Sequence, residues 1–278
     1  MVNHTSISEI RELLEQRGIA LKKRFGQNFL IDQNARRRIV DTILAERTAP
    51  GEVWEIGPGL GSLTDLLREA GLPLRLFEVD HGIIAVLKDR FGDEVPLEKG
   101  DFLKTCLPAA QRNGLPGMIV GNLPYASASA MVTTVIDRGV SPASMVFLVQ
   151  KELAERFRAV PGSKAYSALS VLVQNHYSTS TVFALGGGAF FPRPEVGSTV
   201  IVMRRLPECP EPSTSEATSL LARTAFSQRR KTLRKSLTDY LSILEACGVD
   251  SSLRPERITP EQFLKMGREY HRRHGAPG

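Results

Sequence analysis

The chain has 278 residues, of which 42% are hydrophobic, so it is long enough to fill the core of one or two domains. Its net charge of +6 and sequence pI of about 9.4 favour an anionic partner, and nucleic acid is the first candidate. The amino terminus is polar and no apolar run approaches the roughly 20 residues of a membrane span, so we expect no signal peptide, no membrane protein and a cytoplasmic location.

The residues that most often bind metals do not form a metal-site pattern. Cys106, Cys209 and Cys247 are scattered, lack ligand spacing and cannot all pair, so we expect reduced, structural thiols. His271 and His274 have helical spacing, but they lie beside arginines in a tail that ends in Gly and Pro. A solvated tail is therefore the favoured interpretation, and we expect no bound metal.

The first 150 residues alternate between helical and strand-like patterns. Residues 6–17 predict a short amphipathic helix, and a basic loop follows from Lys22 to Leu30. Asp32 can cap a helix that runs to about Arg47. The apolar face of this helix is predicted to carry Ile39, Val40, Ile43 and Leu44. Further helices are predicted at 63–70, 83–91 and 128–135, and strands at 53–56, 74–79, just before Asp101, at 118–120 and at 145–149. The alternation predicts an α/β fold with a parallel, doubly wound sheet and helices on both faces.

This pattern changes in the later part of the chain. Strand-like segments at 181–185 and 199–204 are joined by turn residues 186–194, which predicts an antiparallel pair at the sheet edge. The segment from Pro207 to Ser215 has the composition of a linker, and the residues beyond it have a helical pattern. We therefore predict an α/β domain at 1–206 and a small α-helical domain at 217–278.

A glycine-rich turn follows the first long strand, at residues 55–61 with the sequence Glu-Ile-Gly-Pro-Gly-Leu-Gly. Glycines there let the backbone approach a ligand, and the start of the next helix offers N–H groups. A dinucleotide site has Gly-x-Gly-x-x-Gly, whereas here the third glycine comes one residue early. Two plainer alternatives are that Ser62 caps the helix and that the glycines serve packing alone.

Two acidic residues follow strands in the same part of the chain. Glu78 closes a strand about twenty residues after the glycines, where a carboxylate can bind both hydroxyls of a ribose. Asp101 follows the next strand and could accept a hydrogen bond from an adenine amine. Taken singly, Glu78 could be a capping or ion-paired carboxylate, and Asp101 could be an N-cap or turn residue.

The tetrapeptide Asn122-Leu123-Pro124-Tyr125 comes at the end of another strand. The Asn122 side-chain oxygen can accept one hydrogen bond from an exocyclic amine, and a backbone carbonyl beside Pro124 can accept a second. Tyr125 can stack on a flat ring, although the same residues also occur in ordinary turns. Combined with the glycine turn, Glu78 and Asp101, the order fits an S-adenosylmethionine-dependent methyltransferase acting on an amino group of a base.

These motifs resemble those of the ribosomal RNA adenine dimethyltransferases, the KsgA family, over nearly the whole chain. The other segments that carry the resemblance are 23–30, 77–80, 100–101, 150–152, 162–164, 191–194 and 226–233. The resemblance implies a Rossmann-like class I methyltransferase fold with a small carboxyl-terminal α-helical domain. It implies methylation of two adjacent adenosines in a hairpin loop near the 3′ end of 16S rRNA, in the pre-30S subunit, by a monomer with a role in small-subunit biogenesis.

The resemblance also implies roles for particular residues. The implied cofactor contacts are Asn28, Leu30, Gly57, Glu78, Asp101 and Asn122. The implied catalytic residues are Asn122, Leu123, Pro124, Tyr125 and Phe190, with Phe190 stacking on the target base opposite Tyr125. One departure is Gly197, where relatives often carry an Asp before Ser198.

Two clusters of basic residues are candidates for contacts with RNA phosphates. The first cluster is Lys22, Lys23, Arg24, Arg36, Arg37 and Arg38. The second cluster is Arg223, Arg229, Arg230, Lys231, Arg234 and Lys235. We predict that the second cluster lies on one helix whose apolar face carries Leu221, Phe226, Leu233 and Leu237. A solvated helix face is the alternative.

Two other functions compete with dimethylation of small-subunit RNA. One is a related dimethyltransferase of large-subunit RNA that confers macrolide resistance, and the other is a ribosome-assembly factor that has lost catalysis. The motif around Arg229 and the long carboxyl-terminal domain favour the small-subunit enzyme. The presence of Glu78, Asp101 and Asn122 argues against a loss of catalysis.

Overall fold

The computed structural model describes residues 3–19 and 27–275, so the predicted RNA contacts Lys22, Lys23 and Arg24 lie outside the described residues. The chain divides into two compact units. The first contains Met1–Val135, Val140–Lys151 and Ser180–Arg204, and the second contains Ile136–Gly139, Glu152–Thr179 and Arg205–Gly278. Within the described ranges, no helix is both long and apolar enough to cross a membrane.

Nine strands make two sheets in the described part of the chain. They are β1 (Phe29–Leu30), β2 (Val53–Ile56), β3 (Leu74–Glu78), β4 (Leu97–Lys99), β5 (Met118–Asn122), β6 (Ser144–Gln150), β7 (Tyr177–Leu185), β8 (Phe190–Phe191) and β9 (Ser198–Arg205). The larger sheet has the order β4-β3-β2-β5-β6-β9-β7. Its first five strands are parallel, and β9 runs antiparallel to β6. The predicted parallel sheet is confirmed, and the two late strands lie side by side at its edge as predicted.

The strand order changes direction between β2 and β5. From β2 the chain moves outward to β3 and β4, and it then returns to place β5 on the other side of β2. In open α/β sheets such a switch point leaves a crevice at the carboxyl ends of the strands, where ligands bind. The topology therefore directs attention to the residues that follow β2, β3, β4 and β5.

Helices alternate with these strands. They are α1 (Ile7–Gln16), α2 (Gln33–Glu46), α3 (Ser62–Glu69), α4 (His81–Phe91), α5 (Phe102–Asn113) and α6 (Ala128–Asp137). Asp32 caps α2 by accepting a hydrogen bond from the Ala35 N–H, as predicted. The predicted apolar face of α2 is wrong at Leu44, which is exposed. Helix α5 was not predicted, since its internal Pro108 resembles a helix break.

Neighbouring residues of β3 show how the sheet is covered on both faces. Leu76 belongs to the core that contains the apolar residues of α1 to α4. The next residue, Phe77, points to the opposite face, where its ring makes an edge-to-face contact with Phe102 of α5 at 5.1 Å between centroids. Helices on both faces of the sheet are thus confirmed.

The two-residue strands β1 and β8 form a separate antiparallel sheet. Phe29 pairs with Phe191, and Leu30 pairs with Phe190. Two-residue strands have no periodicity of their own, so the sequence did not predict this pairing. The pairing brings Asn28 and Leu30 into the first unit beside the crevice.

The second unit is helical. Its helices are α7 (Lys151–Phe157), whose first residue belongs to the first unit, α8 (Ala168–Gln174), α9 (Pro212–Ser227), α10 (Leu233–Ser236), α11 (Leu241–Cys247) and α12 (Pro260–His274). The predicted boundaries at 206 and 217 differ from the structure because residues 152–179 belong to this unit and α9 begins inside the predicted linker. Proline is well accommodated at the first turn of a helix, so Pro212 starts α9 rather than preventing it.

The histidines near the carboxyl terminus lie in the last turn of α12 and not in a solvated tail. Thr259 and Gln262 form a capping box at the start of α12. At its end, the ring of His274 stacks on Tyr270 with 4.7 Å between centroids. The three cysteines are free, and Cys106 and Cys247 are buried. Among the described residues, no group of three or more His, Cys, Asp or Glu could hold a metal.

Helices α9 and α12 pack closely at Gly267. A Cβ atom there would overlap Thr218 Oγ1 and lie 2.9 Å from the Thr218 backbone nitrogen. We expect Gly267→Ala to lower the free energy of unfolding by about 1–2 kcal/mol, because overpacking costs more than the helix propensity that alanine adds. Denaturant unfolding monitored by circular dichroism measures this change.

Gly188→Ala is the matched control for this substitution. A Cβ atom at Gly188 has no heavy atom within 4 Å, so the free energy of unfolding should stay within about 0.5 kcal/mol of the wild type. A Gly267→Ala variant as stable as Gly188→Ala would contradict close packing at this point.

Candidate active site

An open pocket of about 880 Å³ lies where β2, β3 and β5 end. Seven residues singled out from the sequence line it, namely Asn28, Leu30, Gly57, Glu78, Asp101, Asn122 and Pro124. All of the lining residues belong to the first unit. Residues more than ninety positions apart are thus gathered at one edge of the sheet.

The glycine turn forms one wall of this pocket. Gly57, Gly59 and Gly61 have φ angles of 64°, 56° and 86°, a backbone conformation that other residues rarely adopt. Gly61 is the N-cap of α3, and Ser62 is the first helical residue, so the suggested capping role of Ser62 is wrong. The backbone conformation therefore requires these glycines, and packing alone does not account for them.

Glu78 lies at the end of β3 with its carboxylate held by backbone N–H groups. Its Oε1 accepts hydrogen bonds from Val79 and Asp80 at 2.8 and 2.9 Å, and the carboxylate also accepts one from Gly59. Burial raises the pKa of Glu78 to about 7, although these N–H groups act in the opposite direction. The bond to Gly59 ties the end of β3 to the glycine turn.

Glu55 is a second buried carboxylate in the pocket wall, and the sequence interpretation did not select it. It is 1% exposed and accepts a hydrogen bond from Thr64 Oγ1 at 2.7 Å. Burial raises its pKa to about 7 as well. An acidic residue inside a four-residue apolar strand was the signal available in the sequence, because charged residues are seldom buried without a partner.

Asp101 caps α5, as the plainer interpretation suggested. Its Oδ1 accepts a hydrogen bond from the Leu103 N–H at 3.0 Å. The residue also lines the pocket, beside Phe102. Capping engages one carboxylate oxygen with the backbone, so it is compatible with a ligand contact through the other oxygen.

The Asn122 amide is fixed by a distant backbone group. Its Nδ2 donates a hydrogen bond to the Asn28 carbonyl oxygen at 2.8 Å. Because a carbonyl can only accept, this partner determines which end of the amide is the nitrogen, and Oδ1 points away from it. The pocket wall therefore presents a hydrogen-bond acceptor at the end of β5.

The backbone after Asn122 is held on both sides. The Leu123 N–H donates to the Leu148 carbonyl, and the Pro124 carbonyl accepts from Ser127 and Ala128. The Pro124 carbonyl therefore serves the start of α6. Of the two carbonyls beside the Leu–Pro bond, that of Leu123 is the better candidate for a ligand contact.

Tyr125 and Phe190 are placed differently from the other predicted residues. The Tyr125 hydroxyl shares a 2.6 Å hydrogen bond with Ser198 Oγ, and burial raises the pKa of Tyr125. Phe190 is 3% exposed and belongs to the core of the first unit. Leu123, Tyr125 and Phe190 are not among the described residues that line the pocket. Gly197 has no left-handed backbone angle, so a side chain at this position is compatible with the backbone.

The structure divides the predicted basic clusters. Arg36 is buried and its Nε donates to the Ser62 carbonyl, so its predicted contact with phosphate is wrong. Arg38 lies over the Phe183 ring at 3.8 Å from its centroid. The second cluster does not lie on one helix, because α9 ends at Ser227 and α10 begins at Leu233.

Members of the second cluster differ in their partners. Arg223 pairs with Asp137, and Arg229 pairs with Glu256 while also donating to the Ser163 carbonyl. Apart from the ion-paired Arg223, four members are exposed, namely Arg230, Lys231, Arg234 and Lys235. We define these four as the basic patch of the second unit. Leu221, Leu233 and Leu237 are fully buried, as predicted, whereas Phe226 is partly buried against the same core.

The sequence of this chain is similar to those of enzymes that modify ribosomal RNA. A family model described as ribosomal RNA adenine dimethylase matches residues 18–271. The ribosomal RNA small subunit methyltransferase A of Treponema denticola is 36% identical, with 95% of this chain and 94% of the relative covered. The protein of the same name from Pseudomonas aeruginosa is 37% identical, with 89% of this chain and 94% of the relative covered.

Two solved structures share the fold. A dimethyladenosine transferase from Plasmodium falciparum has a TM-score of 0.68 and 23% identity, covering 87% of this chain and 96% of its own. The 23S rRNA methyltransferase ErmE has a TM-score of 0.60 and 23% identity, covering 87% of this chain and 98% of its own. Both agree with the predicted Rossmann-like sheet followed by a helical region.

Proposed function

Because this chain belongs to the ribosomal RNA adenine dimethylase family, we propose that it methylates the exocyclic amines of two adjacent adenosines in a hairpin loop near the 3′ end of 16S rRNA. The observation that carries the proposal is the fixed Asn122 amide, whose oxygen faces away from the Asn28 carbonyl at the pocket edge. The relatives named for the small subunit favour its RNA over large-subunit RNA.

The pocket suits S-adenosylmethionine, the methyl donor of this family. It is lined by apolar residues such as Leu30, Ile56 and Phe77 together with a few polar groups, as small-molecule sites usually are. The buried Glu78 carboxylate stands where ribose hydroxyls can donate to it, and the turn of Gly57 offers a close backbone approach. We assign Asn28, Leu30, Gly57, Glu78, Asp101 and Asn122 to the cofactor. When bound, the donor supplies a methyl group on a sulfonium, which is already electrophilic.

The task of the chain is therefore to position the amine, with no strong base required. An adenine amine is a weak nucleophile because its lone pair is delocalised into the ring. Hydrogen bonds from this amine to Asn122 Oδ1 and to the Leu123 carbonyl would favour a pyramidal nitrogen whose lone pair is aimed at the methyl group. Holding both reactants in line can lower the barrier by about 7–11 kcal/mol in well-oriented reactions.

Aromatic rings would stabilise the charge that develops on the amine. We assign Tyr125 and Phe190 to the two faces of the target base, with a cation–π contribution of about 0.5–2 kcal/mol. Ser198 holds the Tyr125 hydroxyl and so limits the rotation of its ring. Phe190 lies in the core, so its assigned role requires the ring to turn outward when a base enters.

The second unit is proposed to dock the enzyme on RNA. Its basic patch offers four exposed cations that can contact phosphates. We infer that the partner is 16S rRNA in the pre-30S particle and that the enzyme acts as a monomer in the cytoplasm. Three free cysteines are compatible with that reducing compartment.

Methyl transfer onto undermethylated 30S particles tests the proposal. Labelled S-adenosylmethionine should transfer label to 16S rRNA, and mass spectrometry should locate N6,N6-dimethyladenosine at two adjacent positions. Naked 23S rRNA is the comparison substrate. Label in 23S rRNA with none in the 30S particle would refute the small-subunit assignment.

The Glu78 assignment predicts two effects of opposite sign. At pH 8, Glu78→Gln and Glu78→Ala should weaken S-adenosylmethionine binding by about 1–3 kcal/mol, because a charged hydrogen-bond acceptor is lost. Without ligand, Glu78→Gln should instead be more stable than the wild type by about 1–3 kcal/mol, because ionisation of the buried carboxyl is no longer required. Calorimetry and denaturant unfolding measure the two effects.

The pH dependence follows from the raised pKa of about 7. The stability that the neutral Glu78 contributes is fully present below its ordinary pKa of 4.5 and is lost as the pH rises through about 7. Cofactor affinity should move the other way and weaken as the pH falls below about 7. Exposed Glu195→Gln should change neither quantity. Unchanged affinity in a folded Glu78→Ala variant would remove Glu78 from the cofactor site.

A further inference from the structure

We propose that Arg90 and Arg36 are positioning residues for the methyl-donor pocket, because their guanidinium groups hold the two backbone carbonyls that flank Gly61. This inference rests on the proposed function, since the glycine turn is part of the proposed cofactor site. Neither arginine lines the pocket among the described residues, so both would act through the turn.

The contacts come from two different helices. Arg90 of α4 donates through Nη1 to the Leu60 carbonyl. Arg36 of α2 donates through Nε to the Ser62 carbonyl at 2.9 Å. Gly61 lies between these carbonyls with a φ of 86°, at the point where the turn becomes α3. Two cations thus fix the backbone immediately before and after the residue that ends the turn.

The space at Gly61 agrees with this arrangement. A Cβ atom there would lie 2.7 Å from Arg90 Nη1 and 3.0 Å from the Phe91 ring. The absent side chain leaves room for the guanidinium group behind the turn. Gly61 therefore serves a second purpose beyond its left-handed backbone conformation.

Both guanidinium groups are largely withdrawn from water. The side chain of Arg90 is 13% exposed, and Arg36 is 8% exposed. Removing a charge from water costs free energy unless good hydrogen bonds compensate. Arginines are therefore seldom buried unless they have such partners. Arg36 donates to the backbone carbonyl of Ser62, the first residue of α3. Exposed ion pairs between side chains contribute little to stability, whereas these buried guanidinium groups bond to particular backbone carbonyls.

Asp65, in the first turn of α3, sets the orientation of Arg90. Both of its carboxylate oxygens accept from Arg90 Nη2, at 2.9 and 2.7 Å. His4 Nε2 lies 2.9 Å from Asp65 Oδ2, and His4 is 5% exposed. Burial by itself would raise the pKa of Asp65, but the His4 hydrogen bond and the Arg90 charge outweigh it and lower that pKa. The amino-terminal segment is thereby fastened to the same network.

The chain offers a matched control for Arg90. Arg68 lies over the same Phe91 ring, at 5.2 Å from its centroid compared with 4.9 Å for Arg90. Its charged partner is Glu94, and not the backbone of the turn. Arg68→Gln therefore removes an arginine from the same ring while leaving the carbonyls of Leu60 and Ser62 held.

Calorimetry and hydrogen exchange test the inference on the full chain. Arg90→Gln should raise the dissociation constant for S-adenosylmethionine by about tenfold. Arg90→Lys keeps the positive charge but cannot hold Leu60 and Asp65 together, so it should raise the dissociation constant by a smaller factor. Backbone amides of residues 57–63 should exchange faster in Arg90→Gln without ligand. Arg68→Gln should change neither quantity. The affinity for the pre-30S particle should be the same in all three variants, which a general loss of folding would not allow.

The outcomes separate the inference from the proposed function. A wild-type protein that fails to bind S-adenosylmethionine overturns the proposed function. If the wild type binds, equal affinity and equal exchange in Arg90→Gln overturn the inference, and so does an equal loss in Arg68→Gln. Should Arg90→Gln fail to fold, the test passes to Arg90→Lys and Arg36→Lys. If both of these variants bind S-adenosylmethionine and exchange the amides of residues 57–63 as the wild type does, the inference is overturned.

Discussion

Asn122→Ala is expected to lower the rate of methyl transfer by about 10²–10³-fold, the scale for removing one well-placed hydrogen-bonding group from a reaction site. The substitution removes both the oxygen proposed to accept from the adenine amine and the nitrogen that bonds to the Asn28 carbonyl. Binding to the pre-30S particle should persist, because the amide contacts no phosphate in the proposed mechanism. Single-turnover transfer from labelled S-adenosylmethionine measures the rate directly.

Two further substitutions sharpen this test. Asn122→Asp keeps an acceptor oxygen but places a carboxylate oxygen against the Asn28 carbonyl. We therefore expect this variant to transfer methyl groups more slowly than the wild type as well. Asn34→Ala removes an exposed asparagine of α2 and should transfer methyl groups at the wild-type rate. Wild-type transfer by Asn122→Ala would show that the amide does not act on the amine.

Reversal of Arg230, Lys231 and Arg234 to glutamate is expected to weaken binding to the pre-30S particle and to flatten its salt dependence. The slope of log affinity against log salt should fall by about 0.7–0.9 for each phosphate contact that is lost. Cofactor affinity should not change, since every residue that lines the pocket belongs to the first unit. Filter binding across a salt series, beside calorimetry with S-adenosylmethionine, measures both quantities.

The choice of residues in this test follows from their partners. Arg229 is left unchanged because its ion pair with Glu256 and its bond to Ser163 make it part of the packing of the second unit. Reversal of the exposed Lys88, Lys99 and Lys104 on the first unit gives the same change in net charge and serves as the control. An equal loss of particle affinity in both triple variants would mean that net charge, and not the basic patch, governs binding.

Much of the fold could be predicted because its signals are local. The alternation of β2, α3, β3 and α4 is carried by short apolar segments of distinct length, and the structure has each of them within a few residues of the prediction. The residues at strand ends followed from the topology, since parallel strands place their carboxyl ends on one edge. Glu78, Asp101 and Asn122 meet there as this reasoning requires.

The features that were missed depend on distant partners. The sequence of α2 places Arg36 in a basic cluster, yet its hydrogen bond is to Ser62, 26 residues away. Glu55 is buried in the sheet with its carboxylate against Thr64 of α3, a contact that the sequence of β2 alone does not reveal. The helices of residues 152–179 join the later α-helical unit although a strand of the first sheet follows them in the chain. Periodicity reports which face of an element is apolar, but not what will cover it.

The bond from Asn122 to the Asn28 carbonyl makes position 28 important in a way that its side chain does not reveal. Every amino acid carries the same main-chain oxygen, so a replacement at position 28 can leave the orientation of the Asn122 amide intact. An alanine scan would therefore register only what the Asn28 side chain does. Homologues could vary at this position and still retain the acceptor geometry at the end of β5, provided that the backbone path through β1 is preserved.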